Sequence, residues 1–106
     1  MPYKHKLEIN EAQQWHRQFI EKMGWCNTKS PLESVALIHE EAAELGHELR
    51  QETIDMKKVA NEGADIILRT MDLLHELGID VGGAVFDKIA HNHDNVEAIK
   101  AKGRKI

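Results

Sequence analysis

Residues 30–78 read SPLESVALIHEEAAELGHELRQETIDMKKVANEGADIILRTMDLLHELG, and this stretch decides the fold. Ser30 is a favourable N-cap, Pro31 suits the first helical position, and Glu33 completes a capping box. The helix is predicted to run from the proline to about Gln51. Its apolar residues recur every three or four positions, as on one face of a helix: Val35, Ile38, Ala42, Leu45 and Leu49.

A second helical pattern follows a short connector and runs from about Lys57 to Leu77. Gly78 suits the position just beyond its C-terminal end. Ile67 and Leu74 widen the apolar stripe of this helix. The stripe itself consists of Val59, Gly63, Ile66, Thr70, Leu73 and Leu77. Because the connector is short, the two helices are predicted to form an antiparallel hairpin.

Each helix of the hairpin carries a pair of carboxylates at i,i+3 on one face: Glu41 with Glu44, and Glu62 with Asp65. With the turn centred near residue 53 or 54, position 41 is level with about 65, and position 44 with about 62. Four carboxylates at one level repel one another unless a cation neutralises them, and such oxygen ligands suit Mg²⁺ or Mn²⁺. At about 100° per residue, Glu40 points away from this groove.

Solvated surface is the alternative interpretation of these acids, because charged residues commonly flank an apolar stripe. Two observations favour a metal site. No lysine or arginine follows the glutamates of residues 40–44 at i+4, where a surface helix would place a partner. The residues between the acids are also small, so that the helices can approach closely: Ala42, Ala43, Gly63 and Ala64.

The chain before the hairpin is predicted to form a first helix from about Glu11 to Met23. Asn10 is the expected N-cap, and Gln13 three residues later completes a capping-box pattern. Gly24 should end this helix.

The chain after the hairpin is predicted to form a fourth helix from about Val81, capped by Asp80. Whether that helix breaks within residues 92–95 stays open. No strand-like alternation occurs along the sequence. We therefore expect an all-α, four-helix chain in which residues 1–106 form a single domain.

Composition narrows the classes of partner. The net charge of −4 argues against electrostatic binding to nucleic acid or to an acidic membrane. No stretch approaches 18 apolar residues, and the N-terminus lacks a secretory signal. The basic cluster at the C-terminus reads as a solvated tail: Lys100, Lys102, Arg104 and Lys105.

A single cysteine, Cys26, excludes an intrachain disulfide and fits a reducing cytoplasm. A chain of 106 residues buries only a modest core. We therefore expect a cytoplasmic protein that forms a homo-oligomer.

The two acid clusters resemble the motif of the MazG family of all-α nucleoside triphosphate pyrophosphohydrolases. That motif has two adjacent glutamates, two residues, a glutamate, a variable spacer and then Glu-x-x-Asp. Here residues 40–44 read EEAAE, 17 residues follow, and residues 62–65 read EGAD. The apolar run at 66–68 also resembles the family, and chain size and helix order extend the likeness over most of the chain.

The resemblance implies Mg²⁺-dependent cleavage of the α–β phosphoanhydride of a nucleoside triphosphate, giving a monophosphate and pyrophosphate. It implies metal ligation by Glu41, Glu44, Glu62 and Asp65, with Glu40 either as a further ligand or as a residue that supports the ligands without contacting the metal. Glu44 is the first candidate for the general base and Glu41 the second. The family also implies a homodimer or homotetramer and a role in cleaning the nucleotide pool.

For the substrate, the resemblance points to Lys88 and Asn92 on the last helix. Asn95 stands where the family often has an arginine, which Lys102 or Arg104 would have to replace. Base stacking points to the tryptophans. Trp15 lies on an apolar stripe and has core packing as its alternative role, whereas Trp25 lies in the connector before the second helix, like a tryptophan of related enzymes.

Two other functions fit parts of the pattern. One is a non-catalytic helical module for oligomerisation or nucleotide binding. The other is a redox di-metal site, which needs histidine three residues after a ligand glutamate on both helices. Glu44 and His47 have this spacing, but the second helix offers Asp65 instead. No zinc-type His/Cys spacing and no glycine-rich phosphate loop occurs.

Overall fold

The computed structural model describes residues 6–103, which contain five α-helices and no strand. The predicted all-α class is thereby confirmed. The helices are α1 (Ile9–Met23), α2 (Pro31–Leu49), α3 (Met56–Glu76), α4 (Val81–Asp94) and α5 (Val96–Ala101). None of these helices is long and apolar enough to cross a membrane.

Local capping explains where the hairpin helices begin. The Ser30 hydroxyl accepts a hydrogen bond from the Glu33 N–H at 3.2 Å, and the Glu33 carboxylate accepts one from the Ser30 N–H at 3.1 Å. The predicted start of α2 is thereby confirmed. At the start of α3, Asp55 accepts from the N–H groups of Lys57 and Lys58 at 3.0 and 3.3 Å. Side-chain oxygens thus satisfy N–H groups that have no partner within the helix.

The predicted cap of α1 is wrong. Glu8 is the N-cap, and it forms a capping box with Glu11. Asn10 lies inside the helix, where its side-chain oxygen accepts a hydrogen bond from the Gly82 N–H at 2.9 Å. Gln13 likewise accepts from the Val81 N–H at 3.4 Å. Both side chains therefore satisfy the start of α4 rather than the start of their own helix.

The fourth predicted helix does break. Asn95, with φ −126° and ψ 27°, separates α4 from α5. Its side-chain amide donates a hydrogen bond to the carbonyl of His91 at 2.7 Å. Because such a side chain offers the backbone a local alternative partner, the helix ends there.

The main packing is between α2 and α3, with α1 lying across α3 and α4 against both α1 and α3. The buried residues of α2 are polar, namely Ser34 and Glu41. Part of its predicted apolar stripe is instead exposed, with Val35 at 38% and Leu49 at 51%. The side of α2 that carries Ser34 and Glu41 therefore packs against α3, and Glu41 lies closer to the partner helix than its predicted place on the flank of the stripe.

The chain exposes a large apolar area. Only three apolar side chains are buried among the described residues: Ile20, Met71 and Val81. The accessible surface is 8513 Å², whereas a compact monomer of 12.1 kDa exposes about 6,000 Å². Among the described residues, large apolar side chains such as Phe19, Ile67 and Phe86 are 49%, 60% and 70% exposed.

Candidate functional site

Three carboxylates meet across the α2–α3 hairpin. One oxygen from each of Glu41, Glu62 and Asp65 lies within 4.8 Å of the others. Glu41 comes from α2, and the other two come from one face of α3. The structure therefore brings together three of the four predicted ligands, at the level that the hairpin register indicated.

Two oxygens of this triad lack the partners that buried carboxylates need. Glu41 is 8% exposed. Its Oε2 atom and the Oε2 atom of Glu62 are buried and accept no hydrogen bond within residues 6–103. Burying a charged oxygen without a partner is costly. A hard divalent cation such as Mg²⁺ would satisfy several carboxylate oxygens at once, so the residues present fit such an ion.

Glu44 borders the triad from an exposed position. Its pKa is raised, first by hydrogen bonding with Glu62 and then by the negative charge of Glu41. These interactions place the fourth predicted ligand beside Glu41 and Glu62. Glu40 is exposed and has no hydrogen bond or ion pair to another described residue, in agreement with the predicted angle away from the groove.

An arginine pairs with the triad. Arg69 Nε donates a hydrogen bond to Glu41 Oε1 at 2.8 Å. The Arg69 side chain is 40% exposed, whereas that of Glu41 is 10% exposed. Arg69 follows Asp65 by four residues, so it lies on the same face of α3 one turn further on. No role was predicted for this arginine from the sequence. Its spacing of four residues from Asp65 nevertheless indicates that both side chains share one face of α3.

A cavity of about 370 Å³ adjoins the triad: Asp65 of the triad lines it, and so does Arg69, which bonds to Glu41. One wall is aromatic, formed by His16, Phe19 and Trp25. The Phe19 ring lies 6.2 Å from His16 in a stacked arrangement and 5.8 Å from Trp25 edge to face. The aromatic surface and one carboxylate of the triad, Asp65, thus line the same cavity.

Polar side chains complete the cavity. Lys29, Ser34 and Asp72 line it together with Ile20, Leu37 and Leu68. Burial lowers the pKa of His16, and this effect outweighs the opposing charge of Asp72. This shift favours the neutral imidazole, which can both donate and accept a hydrogen bond.

The two tryptophans occupy different environments. Trp25 is 44% exposed and lines the cavity, whereas Trp15 is 63% exposed and lies outside it. Trp25 follows Gly24, whose φ of 72° ends α1 and turns the chain into the connector. Of the two predicted base contacts, only Trp25 is positioned beside the carboxylates.

A partly buried ion-pair network anchors the connector that carries Trp25. Arg17 Nη1 lies 3.0 Å from both Asp72 Oδ1 and Glu76 Oε2. Glu76 Oε2 also accepts a hydrogen bond from the Asn27 N–H at 3.0 Å. Burial alone would raise the pKa of Glu76, but the bonds from Asn27 and Arg17 outweigh it and hold that pKa below its ordinary value. The network joins α1, the connector and α3.

The predicted substrate residues of the last helix lie elsewhere. Lys88 and Asn92 are on α4, and neither lines the cavity. The side-chain oxygen of Asn92 is buried and has no hydrogen-bond partner in the described part of the chain. Lys102 is exposed beyond α5, and Arg104 and Lys105 lie outside the described residues. Within one chain, the cavity beside Asp65 is thus formed without Lys88 and Asn92.

Several residues that line the cavity were not predicted from the sequence, notably His16, Lys29 and Ser34. One spacing signal existed, because Ser34 precedes Glu41 by seven residues and therefore shares its helical face. No family model, curated protein or solved structure matches this chain. Its function must therefore be argued from the chemistry of the site and from the resemblance of its motif.

Proposed function

We propose that this protein is a Mg²⁺-dependent nucleoside triphosphate pyrophosphohydrolase, which releases a nucleoside monophosphate and pyrophosphate. The main support is the triad of Glu41, Glu62 and Asp65, in which two buried oxygens have no hydrogen-bond partner among the described residues. Asp65 of this triad also lines the aromatic cavity. The resemblance to the MazG family supplies the reaction. It also suggests a cytoplasmic role in cleaning the nucleotide pool.

Glu41, Glu62 and Asp65 would hold the metal, with Glu44 at the edge as the fourth ligand. Bound Mg²⁺, or Mn²⁺ in its place, supplies charge neutralisation of the phosphates and activation of water. Glu44 is suited to accept the proton of that water, because it borders the triad from an exposed position where its carboxylate can contact bound water. Glu41 is the second candidate, and its Oε1 atom already accepts a 2.8 Å hydrogen bond from Arg69.

The cavity suits a nucleobase with its phosphates directed toward the triad. Its volume of about 370 Å³ falls in the range of small-molecule sites. Phe19 and Trp25 offer ring faces and edges for stacking. Lys29 and Arg69 add positive charge to the same cavity, which an acidic protein needs in order to accept a polyphosphate.

Trp25→Ala should raise the KM for the nucleotide about tenfold with a smaller effect on kcat, because one base-stacking contact is worth about 1–3 kcal/mol. Steady-state kinetics on the preferred triphosphate measure the effect. Trp15→Ala is the matched control, since Trp15 lies outside the cavity. An unchanged KM for Trp25→Ala would remove Trp25 from the base site.

We also propose a homodimer or homotetramer as the active form. The surface of 8513 Å² and the exposed apolar side chains on each of α1 to α4 favour assembly, among them Phe19, Val35, Leu49, Ile67 and Phe86. Assembly is also the route by which Lys88 and Asn92 of one subunit would reach the cavity of another. Nucleic acid and membranes are not proposed as partners of this acidic chain.

A panel of nucleoside triphosphates incubated with Mg²⁺ and scored for pyrophosphate against phosphate tests the function. We expect pyrophosphate from at least one triphosphate, no product after chelation by EDTA, and sedimentation of the active species as an oligomer. Binding of a triphosphate without any product would favour the alternative, a non-catalytic nucleotide-binding module. Orthophosphate as the product would exclude cleavage at the α–β bond.

A further inference from the structure

We propose that Arg69 is a built-in counter-ion that a divalent cation displaces from Glu41, and that the freed guanidinium then binds the polyphosphate of the substrate. The inference rests on the proposed function and adds a residue that links metal binding to substrate binding. Its basis is the position of Arg69 between the triad and the cavity.

The Arg69–Glu41 ion pair neutralises only part of the negative charge of the triad. Only Nε of Arg69 bonds to Glu41, at 2.8 Å, and Glu41 Oε2 stays buried without a partner. The two terminal nitrogens of Arg69 form no hydrogen bond with any of residues 6–103. One positive charge therefore faces three clustered carboxylates through a single bond. A divalent cation carries twice that charge and can bind several of the oxygens together.

Displacing the Arg69 guanidinium from Glu41 costs little free energy, because water and the cavity can then supply its contacts. Its side chain is 40% exposed, so the guanidinium can leave Glu41 and stay hydrated. It already lines the cavity beside Asp65, at the junction of the triad and the aromatic wall. A triphosphate whose base lies against Trp25 and whose phosphates reach the triad must cross this junction. A planar guanidinium binds phosphate oxygens in pairs, which a lysine cannot do.

The arrangement couples the two ligands. Metal alone must break the Arg69–Glu41 bond, whereas metal with a polyphosphate gives the guanidinium a new anionic partner. Each ligand should therefore increase the affinity for the other. The coupling also disfavours tight binding of a free cation in the absence of substrate.

Arg69→Gln tests the proposal, with Arg50→Gln as the matched control. Arg50 is exposed at the end of α2 and loses the same charge on substitution. Calorimetric titration with MgCl₂ alone should show binding about tenfold tighter for Arg69→Gln than for the unmodified protein. Titration with inorganic pyrophosphate in saturating Mg²⁺ should show binding about tenfold weaker. Arg50→Gln should leave both affinities within about twofold of the unmodified protein.

Arg69→Lys distinguishes the effect of the positive charge at this position from the effect of the planar guanidinium. It keeps the positive charge beside Glu41, so its affinity for MgCl₂ should stay near that of the unmodified protein, while pyrophosphate binding weakens. If Arg69→Gln fails to fold, Arg69→Lys still tests whether the guanidinium binds pyrophosphate.

Two results would overturn the proposal in different ways. If the unmodified protein binds Mg²⁺ but Arg69→Gln has the same Mg²⁺ affinity and a Tm lowered equally with and without Mg²⁺, then Arg69 is only a structural brace. The proposed function would survive that outcome. If the unmodified protein shows no heat of Mg²⁺ binding and no Mg²⁺-dependent rise in Tm, both the metal site and the Arg69 proposal fail.

Discussion

Glu41→Gln is expected to reduce Mg²⁺-dependent release of pyrophosphate by at least about a hundredfold, with the helical content unchanged. Even the loss of groups that only orient metal ligands typically costs about 10–100-fold, and Glu41 is a proposed ligand itself. The substitution keeps the shape of the side chain but removes the charge from a group that is 8% exposed and lies in the triad. Pyrophosphate release and far-ultraviolet circular dichroism measure the two parts of the prediction.

Glu40→Gln is the matched control for this experiment. It removes the same charge from the adjacent residue, which is exposed and forms no ion pair with the described part of the chain. Its activity should stay within about threefold of the unmodified protein, as expected for an exposed charge. Full activity of Glu41→Gln would reject the triad as a metal centre. A comparable loss in Glu40→Gln would show that this glutamate also acts in the site.

Arg17→Ala is expected to lower the free energy of unfolding by about 3–5 kcal/mol, because it leaves Asp72 and Glu76 without their counter-ion. The three side chains are only 12%, 12% and 13% exposed, so water cannot replace the arginine fully. Urea unfolding at pH 7 measures the loss. The connector should also loosen, with a red shift of Trp25 emission, since Glu76 holds the Asn27 N–H.

The pH dependence provides a check on this second prediction. The folded-state pKa of Glu76 lies below its ordinary value. Its stabilising contribution is therefore fully present above the unfolded-state pKa, about 4.3, and is lost as the pH falls through the folded-state pKa. The difference between the unmodified protein and Arg17→Ala should narrow over that acidic range. Arg50→Ala, at an exposed position, should change stability by less than about 0.5 kcal/mol at pH 7.

Local signals carried most of the fold prediction. The Ser30–Glu33 capping box and the glycine at position 78, with φ 79°, mark helix ends through interactions within a few residues. The helical period of the apolar residues then made two facing helices the natural arrangement. The level of the acids followed from counting residues on either side of the turn, because each residue advances a helix by a constant rise.

Long-range contacts account for what the prediction missed. Asn10 looked like a cap for its own helix, yet it bonds the Gly82 N–H, 72 residues away. A Cβ on residue 82 would lie 2.7 Å from that side-chain oxygen, so the contact also depends on a glycine. Local spacing cannot distinguish the two partners, because both are unsatisfied N–H groups at a helix start.

The amino-acid sequence by itself determined the all-α class, the α2–α3 hairpin and the level at which Glu41, Glu62 and Asp65 meet, because capping and helical periodicity act over a few residues. Only the tertiary structure decided which side of α2 is buried, which tryptophan borders the cavity, and that Arg69 bonds Glu41. Those outcomes depend on the rotation of each helix about its axis and on contacts between distant segments. They are settled by the packing of the whole chain, in which the side of α2 that carries Ser34 and Glu41 lies against α3 and the apolar stripe is left partly exposed.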